Sequence, residues 1–136
     1  MNLQQIASQF PSYDDFVKAL IQEVIKLGKE KPDFKYTNSA ASVCFYNGPA
    51  KAYNDSIQEY EITGPECKGC IFGQALQNMG WDDKSEMKLR TDIEDLLRSC
   101  VCEKLKIPEQ LLLVQRAQDV GLSWGNCIKI LGVNNG

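Results

Sequence analysis

The sequence predicts an α+β fold with an N-terminal helix, a small antiparallel sheet of about three strands, and about four short helices. Three observations carry this prediction. Apolar residues recur at helical spacing over 12–30, short aromatic and β-branched runs follow over 33–63, and helix start and stop signals alternate after that. At 136 residues the chain has the usual size of one domain, so we predict a single domain over 1–136.

The first helix is predicted over 12–30. Ser12 can cap its N-terminus, and Gly28 and Pro32 mark its end. One face of this helix carries an apolar stripe made of Phe16, Val17, Leu20, Val24 and Leu27. This spacing is typical of a helix that packs on the core.

Three strands are predicted next, at 34–37, 42–46 and 57–62, because these runs are rich in aromatic and β-branched residues. The stretch 38–41 has turn composition, and a polar loop precedes the third run. Since a sheet this small is marginal in water, we expect it to pack on the helices.

Four helices are predicted after the sheet, at about 69–79, 91–103, 108–119 and 124–131. Gly73 lies inside the first of these, where it indicates close approach either of other protein elements or of a ligand. Residues 81–85 are predicted to form a loop, and the tail 134–136 is predicted to fray.

Composition excludes several classes of function. The chain has no histidine, which rules out Ser-His-Asp and Cys-His catalysis and His-containing zinc sites. Net charge is −3 with dispersed Lys and Arg, so nucleic acid is not an expected partner. No apolar run is long enough to span a bilayer and no signal peptide is recognisable, so we expect no membrane association and a cytoplasmic location. No cofactor is predicted.

Six cysteines are expected to be free thiols or metal ligands, because cytoplasmic thiols are kept reduced. Cys67 and Cys70 have zinc-knuckle spacing, but Cys100 and Cys102 would point about 200° apart on a regular helix. A redox thiol is another interpretation, since Cys70 lies at a helix start, where the dipole lowers a thiol pKa. Three cysteines are expected to be small buried hydrophobic residues: Cys44, Cys100 and Cys127.

Two helix starts are candidates for ligand binding. Lys68, Gly69 and the amides that follow favour a phosphate or carboxylate, with Gln74 on the next turn. Aromatic rings near the two helix starts offer stacking surfaces for a base, and the alternative is that these rings lie in the core. The rings are those of Tyr46, Trp81 and Trp124.

Two segments resemble a family of small uncharacterised proteins from actinobacteria and bacteriophages. The first, 69–80, reads Gly-Cys-x-x-Gly-x-Ala-Leu and ends in Gly, and the second, 114–125, reads Val-Gln-x-x-Gln-Asp-x-Gly-x-x-Trp-Gly. The first helix and the stretches 32–36 and 44–46 are also similar to this family. The family has no established activity, so the resemblance implies no catalytic residues. It implies a phage or mobile-element setting, and therefore the host cell cytoplasm.

The resemblance also bears on the candidate sites. It matches Cys70 but not Cys67, Cys100 or Cys102, which argues against a four-cysteine metal site. The predicted ligand-binding residues are Tyr46, Lys68, Gly69, Cys70, Gln74, Gln115, Asp119 and Trp124. The two shared segments imply that five of them converge: Lys68, Gln74, Gln115, Asp119 and Trp124.

The leading hypothesis is a non-enzymatic, phage-associated binding protein. It would sequester a small anionic or nucleotide-like ligand, or inhibit a host defence protein. One alternative is a metal- or thiol-dependent protein that uses Cys67 and Cys70. Another is a virion assembly protein. The sequence leaves the oligomeric state open, and a homo-oligomer is among the expected possibilities.

Overall fold

A computed structural model describes residues 1–39 and 42–133 and confirms the α+β class. Within these residues the chain forms seven helices and a two-stranded antiparallel sheet. The helices are α1 (Leu3–Ala7), α2 (Tyr13–Glu30), α3 (Ile71–Asn78), α4 (Lys84–Met87), α5 (Ile93–Cys100), α6 (Glu109–Asp119) and α7 (Trp124–Lys129). The strands are β1 (Lys51–Asn54) and β2 (Glu59–Ile62). Part of the predicted turn 38–41 and the predicted frayed tail 134–136 lie outside the described residues.

The helix α2 agrees with its sequence prediction. Ser12 is its N-cap, and the hydroxyl of that residue accepts the backbone N–H of Asp15. All five residues of the predicted apolar stripe are buried. Gly28 allows α7 to approach closely, because a Cβ at this position would collide with the side chain of Ile128 on that helix. The helix packs against both α7 and α3.

The sheet has two strands, so the prediction of about three was wrong. β2 lies within the third predicted run, whereas β1 falls in the stretch predicted as a polar loop. The first two predicted strands contribute only isolated bridges within the described chain, Lys35 with Ser123 and Val43 with Lys51.

Tyr36 explains why those two runs do not form a ladder. Its buried hydroxyl accepts the N–H of Phe45 at 2.9 Å and lies 3.0 Å from the carbonyl of Phe45 and 2.9 Å from that of Gly48. A side chain thus replaces the neighbouring strand as the hydrogen-bond partner of this backbone. The aromatic composition of the two runs agrees with the burial of most of their rings. It wrongly indicated that the runs pair as strands.

Two short helices were not predicted from the sequence. α1 begins at a capping box between Asn2 and Gln5, and α4 begins at Asp83, whose carboxylate accepts two backbone N–H groups. Glu86 joins the two, because its Oε1 accepts the N–H of Leu3 at 2.8 Å. Helices of five and four residues are too short to show a helical period, so the sequence pattern missed them.

The other four helices after the sheet match predicted ones, so five helices follow β2 in the described chain rather than about four. Gly73 in α3 allows close approach of protein backbone, since a Cβ there would collide with the carbonyl of Tyr46. None of the helices in the described part of the chain is long and apolar enough to cross a bilayer.

Cys44 and Cys70 form a disulfide, with Cα atoms 5.9 Å apart. This corrects the expectation that these two cysteines are free, and it removes Cys70 as a candidate thiolate or zinc ligand. The bond ties the segment 42–46 to the N-terminus of α3. Disulfides are uncommon in reducing compartments, so the oxidation state of this pair bears on the cytoplasmic expectation.

Alkylation under denaturing conditions tests this bond. Without reduction we expect four alkyl groups per chain, one for each cysteine outside the disulfide, and six after reduction. Cys44→Ser should take up five without reduction, because it frees Cys70. Intact-mass spectrometry reads these counts directly. Six adducts on the unreduced wild-type protein would show that the pair is a dithiol.

Candidate functional site

The side chain of Gln118 occupies the N-terminus of α3, where an anion was predicted to bind. Its Oε1 accepts the N–H of Ile71, the first residue of α3, at 2.6 Å, and the indole N–H of Trp124 at 3.2 Å. Cys70 is the N-cap, and its sulfur lies 3.5 Å from the N–H of Gly73. These amides already have protein partners, so the helix start is part of the interior.

Gln115 does the same for α5. Its Oε1 accepts the N–H of Ile93, the first residue of that helix, at 2.7 Å. Its Nε2 donates to the hydroxyl of Tyr46 at 3.3 Å, and that hydroxyl donates to the carbonyl of Thr91 at 2.6 Å. Burial of the hydroxyl is the largest cause that raises the pKa of Tyr46 above its usual value. Two glutamines three residues apart on one helix face therefore cap two other helices.

Most of the eight predicted site residues lie in this interior. Tyr46, Cys70, Gln115 and Trp124 are buried, and the Nε2 of Gln74 donates to the carbonyl of buried Gly69 at 3.0 Å. Trp81 is buried as well, so the tryptophans lie in the core, which was the alternative interpretation.

The two remaining predicted residues do not meet. Lys68 is exposed and lines a cavity with Gln74, whereas Asp119 lines a different cleft with Gln115. The eight residues therefore do not line one cavity, and Lys68 and Asp119 each line a cavity with one other predicted residue, in separate places.

The cleft at Asp119 has a volume of about 270 Å³ and a charged lining. Arg90 and Arg116 contribute two guanidinium groups, and Asp92 and Asp119 contribute two carboxyl groups. Cys44 and Gln115 form part of its wall. Burial raises the pKa of Asp119 to about 6, partly offset by the N–H of Gln118 that donates to its carboxylate at 3.2 Å. Guanidinium groups bind carboxylates and phosphates through paired hydrogen bonds, whereas the two carboxyl groups repel an anion when they are ionised.

A second feature is the exposed side of the β1–β2 hairpin. The strand register sets Tyr53 opposite Tyr60 and Lys51 opposite Ile62, so these four side chains project from the same side. We call these four residues the hairpin face. Tyr53, Tyr60 and Ile62 are 50%, 51% and 66% exposed, and the two tyrosine rings lie 5.3 Å apart.

Phe45 supports the hairpin face from below. Its buried ring meets the ring of Tyr60 edge to face at 5.6 Å, and the ammonium of Lys51 lies 5.1 Å from its centroid. The guanidinium of Arg90 lies 3.8 Å from the same centroid. Arg90 also lines the cleft, as does Val43, so the hairpin face and the cleft adjoin.

None of the four residues of the hairpin face was among the site residues predicted from the sequence. The alternation of Tyr60 and Ile62 with Glu59 and Glu61 was the available signal, and it predicts a strand with one apolar side. Nothing in the sequence shows that this side is only half covered, because β1 carries no matching apolar alternation.

No family model, curated protein or solved structure matches this chain. The resemblance to actinobacterial and phage proteins therefore stays an expectation, and the function has to be argued from the contacts above. Across the residues that the structure describes, no group of three or more cysteine, aspartate or glutamate side chains is placed to hold a metal ion.

Replacing Gln118 with leucine tests its capping role. Gln118→Leu leaves the N–H groups of Ile71 and of the Trp124 indole without their acceptor in the interior. Each such loss costs about 1–3 kcal/mol, so we expect the free energy of unfolding to fall by about 2–5 kcal/mol in urea titrations. Gln110→Leu on the exposed side of α6 is the control, with an expected change within about 0.5 kcal/mol. Equal values for the two variants would refute the capping role.

Asp119→Asn tests the burial of this carboxyl. Because the pKa is raised to about 6, the folded state binds the proton more tightly than the unfolded chain. The stability that protonation gives is fully present below about pH 4 and is lost as pH rises through 6. Asparagine keeps the acceptor oxygen and cannot ionise. We therefore expect Asp119→Asn to be more stable than wild type at pH 7.5, by up to about 3 kcal/mol, with no difference near pH 4.

Urea titrations at the two pH values measure this difference. Asp33→Asn, on an exposed residue, is the control and should change the free energy of unfolding by less than about 0.5 kcal/mol at either pH. A gain at pH 7.5 that persists at pH 4 would mean that another effect of the substitution is responsible.

Proposed function

We propose that this chain is a non-enzymatic binding protein that recognises another protein through the hairpin face. In a phage setting the partner is a host defence protein, which the bound chain inhibits. The observation that carries this proposal is the contiguous half-exposed surface of Tyr53, Tyr60 and Ile62 above a buried phenylalanine. Single exposed apolar residues are ordinary on protein surfaces, whereas a contiguous set is typical of a contact site.

The residue types support protein recognition. Tyrosine and arginine are enriched where protein interfaces gain most of their binding energy, and tyrosine has few rotamers to immobilise. Here Tyr60 and Arg90 are both already in contact with the ring of Phe45. The face is therefore largely ordered before any partner arrives, which lowers the entropy cost of binding.

The charged cleft supports a second candidate function, the sequestering of a small anion. Arg90 and Arg116 supply the cationic groups, although Asp92 and Asp119 line the same cleft, and its volume of about 270 Å³ lies just below the usual range of small-molecule pockets. The rings predicted to stack on a base are buried, and among the described lining residues of the cleft none is aromatic. This favours a small carboxylate or phosphate over a nucleotide.

Affinity capture from an actinobacterial lysate tests the protein-binding proposal with three forms of the chain. They are wild type, Tyr60→Ser/Ile62→Ser, and Val120→Ser, which changes a residue that is 56% exposed outside the hairpin face. A specific partner should be retained by wild type and Val120→Ser and lost by the double variant. With the partner purified, the Kd of the double variant should be at least about tenfold weaker.

Equal capture by all three forms would contradict a role for the hairpin face. Native mass spectrometry of the freshly purified protein addresses the second candidate. An adduct of one or two hundred daltons that Arg116→Ala loses would favour the cleft.

A further inference from the structure

The strand β2 has an open hydrogen-bonding edge. The N–H of Thr63 donates to the carbonyl of Ala50 at 2.8 Å, which makes those two residues a hydrogen-bonded pair in the antiparallel register. Such pairs alternate along the ladder, so Glu59 and Glu61 direct their backbone groups toward β1. Tyr60 and Ile62 therefore direct their N–H and C=O groups away from β1. Among the described residues β1 is the only strand paired with β2, and all four residues of β2 are exposed.

The two sides of this edge differ in chemistry. Tyr60 and Ile62 belong to the hairpin face, whereas Glu59 and Glu61 project from the opposite side. The carboxylate of Glu61 accepts the side-chain amide of Asn54 across the strands at 3.0 Å, and both glutamates remain exposed. A strand laid against this edge would meet an apolar row on one side and two negative charges on the other.

We propose that β2 is the acceptor edge for an extended segment of the partner protein in which basic and apolar side chains alternate. The segment adds a third strand to the sheet, with its apolar side chains on the hairpin face and its basic side chains beside Glu59 and Glu61. Backbone pairing supplies the contact that is independent of sequence, and the alternation supplies the specificity. This inference rests on the proposed function and names its binding mode and the chemistry of the partner.

The charges disfavour a second copy of this chain as the occupant. An antiparallel pairing of two β2 edges centred on Tyr60 or Glu61 would set glutamates of the two copies opposite each other. Like charges directly opposite in a sheet are destabilising, and charged residues on an edge strand commonly prevent self-pairing. The same charges favour a basic segment.

Titration of the ¹⁵N-labelled full chain with synthetic peptides tests the proposal. The probe is acetyl-Lys-Val-Lys-Ile-Lys-Val-Lys-amide. One control peptide has glutamate in place of every lysine, and the other has the same residues with all lysines grouped at one end. We expect the probe to shift the amide signals of Tyr60 and Ile62 most, and to bind about tenfold more tightly than either control.

Two variants of the protein separate charge from backbone pairing. Glu59→Lys/Glu61→Lys should reverse the preference, so that the glutamate peptide binds more tightly than the lysine peptide. Ile62→Pro removes an outward N–H that the β1–β2 ladder does not use, and proline is tolerated at such edge positions. Ile62→Ala loses the same apolar side chain but keeps that N–H. Ile62→Pro should keep the hairpin signals of the folded protein and bind the peptide more weakly than Ile62→Ala does.

The failures can be told apart. Absence of amide shifts at β2, or an unchanged preference in the charge-reversed variant, overturns the edge proposal. If a captured partner is lost by Tyr60→Ser/Ile62→Ser but retained by Ile62→Pro, only the edge proposal fails. If the double variant retains the partner as well, the proposed function of the hairpin face fails. A β2-mediated dimer in sedimentation experiments would also overturn the choice of partner.

Discussion

Two glutamine side chains on α6 connect this helix to the N-termini of α3 and α5. The buried amides of Gln115 and Gln118 accept the first N–H groups of α5 and α3, at 2.7 Å and 2.6 Å. A buried helix start without an acceptor is costly, so these two contacts fix both helices relative to α6. The start of α3 then carries Cys70, whose bond to Cys44 holds the segment that contains Phe45. The hairpin face rests on Phe45, so the exposed surface depends on the same contacts as the core.

The same contacts explain why features typical of a ligand site lie in the interior. A helix N-terminus needs acceptors, and a phosphate, a carboxylate or the oxygen of a buried side-chain amide can each serve as one. In this chain the acceptor at α3 comes from Gln118, 47 residues further along the sequence. The sequence identifies both groups, but it does not show that they meet. The two segments 69–80 and 114–125 therefore have a structural role in the described fold.

Local signals explain which parts of the fold were predictable. α2 has 18 residues, enough for several periods of the apolar stripe, and Ser12 and Ser123 cap the helices that directly follow them. Non-local contacts explain the errors. The backbone of 42–46 bonds to the hydroxyl of Tyr36, and the Cys44–Cys70 bond spans 26 residues without any local signature. The cleft was missed because Arg90 and Arg116 come together only when α6 packs beside the start of α5.

The hairpin packs on the buried ring of Phe45 and has an unpaired edge at β2. Two strands alone are marginal in water, so this pair depends on the contacts of Tyr60 and Lys51 with the ring of Phe45. Those contacts cover Phe45 but leave the outer halves of both tyrosines and the backbone edge of β2 open. A third strand would cover the apolar row and pair the outward backbone groups at the same time. Because the hairpin is already packed on Phe45, little of the free energy of that contact is lost to ordering the acceptor. The alternation of Glu59 and Glu61 with Tyr60 and Ile62 then sets which strand fits.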